Sequence, residues 1–207
     1  MLIDLSHSVE HGMTTYPGLP GPVICDFLTR EASRERFSGG TTFQIGRIDM
    51  VANTGTYVDA PFHRFEEGAD LAALPLEQLA DLDCVVLDHP EKLPSVDLSG
   101  RAVLFRTGWS RHWGTPSYLS GHPFLTAAIA RALVAGKPAL VGIDSLNIDD
   151  MNDRSRPVHT LLLGAGIPIA EHLTNLDALP ATGFRFHALP VKVVGMGTFP
   201  VRAYAVC

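Results

Sequence analysis

The densest cluster of polar residues in the chain is the stretch NTGTYVDAPFH, residues 53–63. Gly55 and Pro61 interrupt it, so it is predicted to form a loop or a short helical turn. Asp59 and His63 are four residues apart and would share one face of such a turn. A carboxylate and an imidazole placed in this way can hold a metal ion together, or one can orient the other for proton transfer. The alternative is a capped turn in which Asp59 accepts backbone N–H groups and His63 faces solvent.

Short apolar segments on both sides of this cluster predict a chain of mixed α and β structure. Strands are predicted over residues 3–5, 42–50, 84–88, 102–106, 138–143, 167–171, 190–195 and 201–206. The segment 42–50 alternates apolar and polar residues, which predicts a half-exposed strand. One amphipathic helix is predicted over residues 123–135, with short helices over 75–79 and 161–163. No repeat or linker-like change of composition divides the chain, so residues 1–207 are predicted to form one domain.

The charge and the cysteine content exclude several classes of partner. The 207 residues include 16 Lys and Arg against 22 Asp and Glu, a formal net charge of −6, without any basic run. Nucleic acids and anionic membranes are therefore poor candidates as partners. No apolar stretch approaches the ~18–20 residues of a transmembrane helix, and the N-terminus lacks the pattern of a signal peptide. With three widely spaced cysteines and no recognisable disulfide framework, the chain is predicted to be cytoplasmic.

A second pair of candidate residues is His159 and Glu171. His159 precedes an apolar, helix-like segment, and Glu171 lies in an otherwise apolar strand. A carboxylate in such a strand must point to solvent or find a partner, because burying it unpaired is costly. The pair therefore predicts either a functional site or a strand at the edge of a sheet. The aromatic segment around Trp109 is predicted to form a loop that either lines a substrate pocket or is anchored by its own rings.

The stretch NTGTYVDAPFH resembles the pattern His-x-Gly-Thr-His-x-Asp-x-Pro-x-His of the cyclase-type metal-dependent hydrolases, a family that includes bacterial kynurenine formamidase and isatin hydrolase. The resemblance extends over most of the chain, to residues 3–6, 16–18, 107–110, 142–145 and 195–202 and to His159 with Glu171. It implies a swivelling β/β/α fold, which is a single-domain α/β fold with a mixed sheet and few helices. It also implies a homodimer or a homotetramer.

The resemblance further implies a metal site that contains zinc or manganese, often as two ions. In the family pattern, the first two histidines of the motif serve the first ion only, and the later histidine serves the second. Here Asn53 and Tyr57 stand at the positions of those two histidines, whereas Asp59, His159 and Glu171 match the pattern. We therefore expect one divalent ion per chain, held by these three residues, with Asn53 as a further candidate ligand. Two carboxylates and one imidazole form a harder ligand set than several histidines, so manganese competes with zinc.

By the same resemblance, the chain is expected to hydrolyse a small amide, formamide or lactone, as an arylformamidase does in tryptophan catabolism. A metal-bound water would be the nucleophile, His63 the general acid and base, and Tyr57 a hydrogen-bond donor to the oxyanion. Tyr16, Phe62 and Trp109 are expected to form an apolar wall for a cyclic or aromatic substrate. Two alternatives stay open. One is a metal-free relative that binds a small molecule, and the other is a metal-free acid–base cyclase or dehydratase.

Overall fold

The computed structural model describes residues 1–88, 93–94 and 96–207. Within this part of the chain the strands are β1 (Leu2–Asp4), β2 (Val23–Leu28), β3 (Ile45–Asp49), β4 (Tyr57–Asp59), β5 (Leu82–Asp88), β6 (Ala102–Arg106), β7 (Leu140–Ile143), β8 (Ile169–Glu171), β9 (Thr182–His187), β10 (Thr198–Pro200) and β11 (Tyr204–Val206). The α-helices are α1 (Arg30–Ser33), α2 (Ala127–Gly136) and α3 (Pro157–Gly164). Among these described residues, no helix combines the length and the apolar character needed to cross a membrane.

Nine of the strands form one mixed sheet, in the order β1-β11-β9-β5-β6-β7-β8-β4-β10. The strands β5, β6, β7 and β8 are parallel neighbours in this sheet. The pairs on either side of them are antiparallel. The strands β2 and β3 form a separate antiparallel ribbon. A mixed sheet with few helices confirms the predicted fold class.

The middle of the sheet is buried on both faces. Along β6, Val103 and Phe105 point to the face that α2 and α3 cover, whereas Leu104 points to the opposite face, because successive side chains of a strand alternate. On that opposite face, Leu104 packs with residues of β5, β7 and β9. Strands covered on both faces contain continuous apolar runs. This is why β5, β6 and β7 are recognisable in the sequence.

Two predicted strands differ from the structure. The strand predicted over residues 190–195 is wrong, because Pro190 makes one isolated bridge to Val201 and the following residues are irregular. Proline has no N–H group to donate to a strand ladder. The segment 42–50 contains only β3, whose residues are all exposed rather than alternately buried. Its alternation therefore does not mark a face that packs on the core. Strands β2, β4, β9 and β10 are absent from the sequence prediction.

Residues 53–63 and the segment that contains His159 also take a different local structure from the one predicted. Residues 53–63 form strand β4 followed by a 3₁₀ turn at Pro61–His63, so Asp59 and His63 lie on two elements rather than on one helical face. Helix α3 begins at Pro157, and His159 therefore lies within the helix rather than before it. Proline at the first helical position has a backbone angle that suits the start of a helix, and its missing N–H group is not needed there.

The pairing of β4 with both of its neighbours brings the candidate residues together. In the antiparallel register with β8, Tyr57 lies opposite Glu171, and in the register with β10, Asp59 lies opposite Thr198. Residues opposite each other, and residues two apart along a strand, point to the same face of a sheet. Tyr57, Asp59, Glu171 and Thr198 therefore converge on one side of three short strands.

Gly197, just before β10, lies against the 3₁₀ turn, and this contact gives a test of the arrangement. A Cβ atom on Gly197 would clash with the backbone nitrogen and Cα of His63, and the Gly197 carbonyl also accepts a hydrogen bond from Ala60 N at 2.7 Å. We expect Gly197→Ala to lower the free energy of unfolding by ~1–3 kcal/mol, as overpacking does in other proteins. Thermal or denaturant unfolding measures this, with Gly46→Ala as a control, because a Cβ there meets only the Gln44 side chain, at 3.4 Å or more. Equal stability of the two variants would contradict the predicted clash.

Candidate active site

Three ionisable side chains meet in the interior of the protein. Asp59 on β4 is 0% exposed, Glu171 at the end of β8 is 1% exposed and His159 on α3 is 6% exposed. The Nε2 atom of His159 lies 3.7 Å from Asp59 Oδ2 and 3.6 Å from Glu171 Oε1. One ligand atom from each residue falls within 4.8 Å of the other two. The spacing and chemistry of these atoms suit one divalent cation between them.

The hydrogen bonds of Asp59 leave one of its oxygens available to such a cation. Oδ1 accepts a hydrogen bond from the hydroxyl of Thr198, whereas Oδ2 is buried and has no hydrogen-bond partner. A buried carboxylate oxygen without a partner is costly. Because this oxygen faces His159 Nε2, a cation at the centre of the three side chains would satisfy it. The residues present therefore fit a metal ion.

His159 is oriented by Asp149, a residue that the sequence analysis does not identify. Asp149 Oδ2 lies 2.7 Å from His159 Nδ1, and the same carboxylate accepts hydrogen bonds from the backbone N–H groups of Val158 and His159 at the start of α3. An Nδ1–H···carboxylate bond leaves Nε2 free as a metal ligand. Burial alone would lower the pKa of His159, but Glu171, Asp149 and Asp59 together raise it to about 10. The site thus favours a positive charge at its centre.

Glu171 is held through both of its oxygens. The Tyr57 hydroxyl donates to Oε2 at 2.6 Å, and the backbone N–H of Ile148 donates to Oε1 at 2.6 Å. Burial raises the pKa of Glu171 to about 7, with a contribution from the Asp59 carboxylate. Burial, with the Glu171 carboxylate, also raises the pKa of Tyr57 well above its usual value, so the phenol stays protonated. In this arrangement its single proton is directed at Glu171.

His63 is linked to Asp59 through the hydroxyl of Thr198. The Thr198 oxygen contacts both Asp59 Oδ1 and His63 Nδ1, the latter at 2.9 Å. An ionised carboxylate only accepts hydrogen bonds, so the hydroxyl donates to Asp59 and accepts from Nδ1–H of His63. The lone pair of His63 is then on Nε2. This is the tautomer that a general base needs when its other nitrogen is held by the protein.

A cavity of about 250 Å³ opens onto these groups. Its lining residues are Tyr16, Leu19, Asn53, Tyr57, His63, Arg64, Asn147, Arg156, His159 and Glu171. The Tyr16 hydroxyl accepts a hydrogen bond from Asn147 Nδ2 at 2.6 Å and donates one to the carbonyl of Leu146 at 2.7 Å. Tyr16 is thereby held at the wall of the cavity, with its hydroxyl 3.4 Å from that of Tyr57.

Most of the predicted site residues line this cavity, and three do not. Phe62 and Trp109 are not among its lining residues, and Asp59 does not line it either but is buried beside His159, with Oδ2 3.7 Å from Nε2. The indole N–H of Trp109 donates to the carbonyl of Tyr118 at 3.0 Å, so this ring anchors its own loop. A larger cavity of about 800 Å³ lies between the N-terminal segment and residues 113–119, and none of the predicted site residues lines it. The sequence analysis does not identify four polar residues of the site: Thr198, Asp149 and the two arginines of the cavity wall, Arg64 and Arg156.

Comparison with known protein families assigns this chain to one of them. The family model described as a putative cyclase matches residues 3–150, more than half of the chain. The chain belongs to the cyclase family. The matched range includes residues 53–63, and His159 and Glu171 lie beyond it.

Comparisons that cover the whole chain agree with this membership. The kynurenine formamidase of Geobacillus thermodenitrificans (strain NG80-2) is 30% identical over 209 residues, which cover 97% of this cyclase-family chain and 95% of that relative. A solved structure described as a potential metal-dependent hydrolase with cyclase activity has a TM-score of 0.77 at 27% identity, over 99% of this chain and 96% of that one. Isatin hydrolase A from Labrenzia aggregata has the same fold, with a TM-score of 0.80 at 22% identity, over 99% and 93% of the two chains. The predicted family is confirmed.

The hydrogen bond between His63 and Thr198 predicts the tautomer of the His63 ring. Thr198→Val removes the acceptor for Nδ1–H and preserves the side-chain shape, so we expect the neutral ring to shift towards the Nε2–H tautomer. Thr198→Ser retains the hydroxyl and should keep the Nδ1–H tautomer. Imidazole ¹⁵N chemical shifts in mildly alkaline buffer report the tautomer, and His63→Gln identifies the resonances. An unchanged tautomer in Thr198→Val would show that the hydroxyl does not determine it.

Proposed function

We propose that this protein hydrolyses the C–N bond of a small amide or formamide with the help of one divalent metal ion. One observation carries the proposal: three buried ligand atoms converge at the base of a cavity, and one of them, Asp59 Oδ2, has no partner within the protein. The kynurenine formamidase relative, which aligns over nearly the whole chain, supports this class of reaction. Because of this relative, the N-formyl arylamines of tryptophan catabolism are the first substrates to test, and lactones are the second class to test.

Asp59, His159 and Glu171 would hold the ion, and Asn53 at the cavity wall is the remaining candidate ligand. When bound, the ion supplies a Lewis acid that polarises the carbonyl and lowers the pKa of a bound water. The ligand set contains two carboxylates and one imidazole, which suits manganese as well as zinc.

The residues around the ion provide proton transfer and positioning. His63 Nε2 accepts the proton of the attacking water and returns it to the leaving nitrogen, while Thr198 holds the other ring nitrogen. Tyr57 positions Glu171 through its hydrogen bond to Oε2. To stabilise an oxyanion as well, the Tyr57 hydroxyl would have to redirect its hydrogen bond from Glu171 to the substrate oxygen. The ring of Tyr16 forms part of the cavity wall against which a planar substrate can pack.

We also infer that the protein forms a homodimer, through the ribbon of β2 and β3. The ribbon exposes apolar side chains on both of its faces, including Phe27 at 71% and Ile48 at 56% exposure. An isolated two-stranded ribbon is marginally stable in water, and exposed apolar patches mark interaction surfaces. A second copy of this chain is the favoured partner, because two-fold dimers are the commonest assemblies of soluble proteins.

The metal content of protein purified without chelator, measured by elemental mass spectrometry, is the first test of the proposed reaction. We expect about one zinc or manganese ion per chain, because Asp59, His159 and Glu171 form one ligand set. Asp59→Ala should lose the ion, whereas the exposed Asp83→Asn should keep it. His63→Gln should retain the ion and lower kcat for formamide hydrolysis by about 10²–10⁴-fold.

Other outcomes of this test separate the alternatives. Two ions per chain would mean that Asn53 and Tyr57 also act as ligands. Absence of metal after incubation with zinc and manganese would overturn the hydrolase mechanism. In that case, turnover in the presence of chelator would indicate an acid–base cyclase or dehydratase, and binding without turnover would indicate a small-molecule binding protein.

The ribbon gives a separate prediction about assembly. Phe27→Ser and Ile48→Ser together remove apolar contact area from its two faces, so we expect the double variant to sediment as a monomer where the wild-type protein sediments as a dimer. Analytical ultracentrifugation measures this, with the exposed Leu76→Ser as a control. A wild-type monomer, or a double variant that still dimerises, would contradict the assignment of the interface.

A further inference from the structure

Two arginines line the cavity on the side of helix α3. Arg64 directly follows His63; its Nε donates to Thr160 Oγ1 at 3.2 Å, and its guanidinium lies 5.3 Å from the centroid of the Phe65 ring. Arg156 is the residue immediately before α3, and its Nη1 donates to the carbonyl of Asp150 at 2.9 Å. These contacts are with neutral groups, and both arginines line the same cavity as two members of the metal-ligand cluster, which consists of Asp59, His159 and Glu171.

Neither guanidinium forms an ion pair with a carboxylate among the described residues, although Arg106, Arg185 and Arg202 do so elsewhere on the protein. The Asp153 carboxylate accepts hydrogen bonds from the hydroxyl and N–H of Ser155, which lower its pKa, and the charge of Arg156 makes a smaller contribution. Several surface arginines are also unpaired, but Arg64 and Arg156 differ from them because they line a cavity that leads to buried ligand atoms.

The charges of the cavity do not cancel. Glu171 lines the cavity, the carboxylates of Asp59 and Asp149 are buried beside His159, and one divalent cation would balance two of these three negative charges. The two guanidinium groups then leave an excess of positive charge in a protein whose formal net charge is −6. A guanidinium matches a carboxylate through two parallel hydrogen bonds. A positive cavity also attracts anionic ligands.

We propose that Arg156 and Arg64 bind a carboxylate on the substrate, at the end of the molecule away from the amide bond that is cleaved. This inference rests on the proposed hydrolase function and names its substrate class: N-acyl or N-formyl compounds that bear a free carboxylate. The amide carbonyl lies towards Asp59, His159 and Glu171, and the carboxylate lies towards the start of α3.

The experiment compares two substrates that differ in one charge, with metal-loaded enzyme. 4-Formamidobenzoate bears a ring carboxylate opposite the formamide, and 4-formamidobenzamide bears the neutral amide in its place. We expect the wild-type enzyme to prefer the carboxylate. Arg156→Gln and Arg64→Gln should each lower kcat/KM for 4-formamidobenzoate by about 10- to 100-fold, mainly through KM, which is the effect of a lost hydrogen bond to a charged group. The loss for the neutral substrate should be several-fold smaller, so that the ratio of the two kcat/KM values, which measures the preference for the carboxylate, falls in both variants.

The controls separate recognition of the carboxylate from structural damage. Arg154→Gln removes an exposed arginine that does not line the cavity and should leave both substrates unaffected. Arg156→Lys keeps the charge and should restore part of the preference for the carboxylate. Equal losses for both substrates in Arg156→Gln, or a wild-type preference for the neutral amide, would overturn the proposal.

A failure of the proposed reaction would be distinguishable from a failure of this inference. If the wild-type protein cleaves neither compound, calorimetric titration with 4-formamidobenzoate and with 4-formamidobenzamide still decides the question. Tighter binding of the carboxylate that is lost in Arg156→Gln would support the proposal without hydrolysis. Equal affinities of the wild-type protein for the two compounds would contradict it.

Discussion

The site depends on the burial of two carboxylates and one imidazole against each other at one end of a sheet. Three hydrogen-bond donors hold the carboxylates: the Thr198 hydroxyl, the Tyr57 hydroxyl and the backbone N–H of Ile148. They leave Asp59 Oδ2 without a partner inside the protein. Because charged groups out of water need a compensating charge, a positive charge at the centre stabilises the three short strands and the start of α3 in this arrangement. A proton on His159 or a metal ion supplies it.

The Thr198 hydroxyl joins the metal-ligand cluster to the candidate general base. It contacts Asp59 and His63 at once, so the tautomer of the base is set by the same group that orients a ligand. Thr198 lies on β10, the strand at the edge of the sheet next to β4. The fold thus places the proposed metal ligands and the proposed general base close together. The last strands of the chain are part of the site, although the family model ends at residue 150.

The sequence allows prediction of those features that depend on local pattern. Strands β5, β6 and β7 are apolar on both faces and stand out in the sequence, and the acidic residue in the apolar strand β8 marks Glu171. Asp149 and Thr198 cannot be found in this way. Thr198 is 139 positions from its partner Asp59, and no periodicity connects them, because only the sheet order brings them together. The run over 190–195 fails as a strand for a related reason: valines beside a proline resemble a strand, but within the described part of the chain the run makes only the single bridge from Pro190 to Val201.

Asn53 and Tyr57 replace two histidines of the family pattern. These replacements change the expected chemistry of the site rather than remove it. At position 57 a phenol donates its proton to Glu171 Oε2, and burial raises the pKa of that phenol. A second cation bound at the same oxygen would have to displace this hydrogen bond. Glu171 therefore presents only Oε1 to the cluster, next to His159 Nε2 and the free oxygen of Asp59. One ion at these three ligands is the arrangement that we propose, and the two arginines that line the cavity would add positive charge to its wall. A carboxylate on the substrate is the group that those charges would attract.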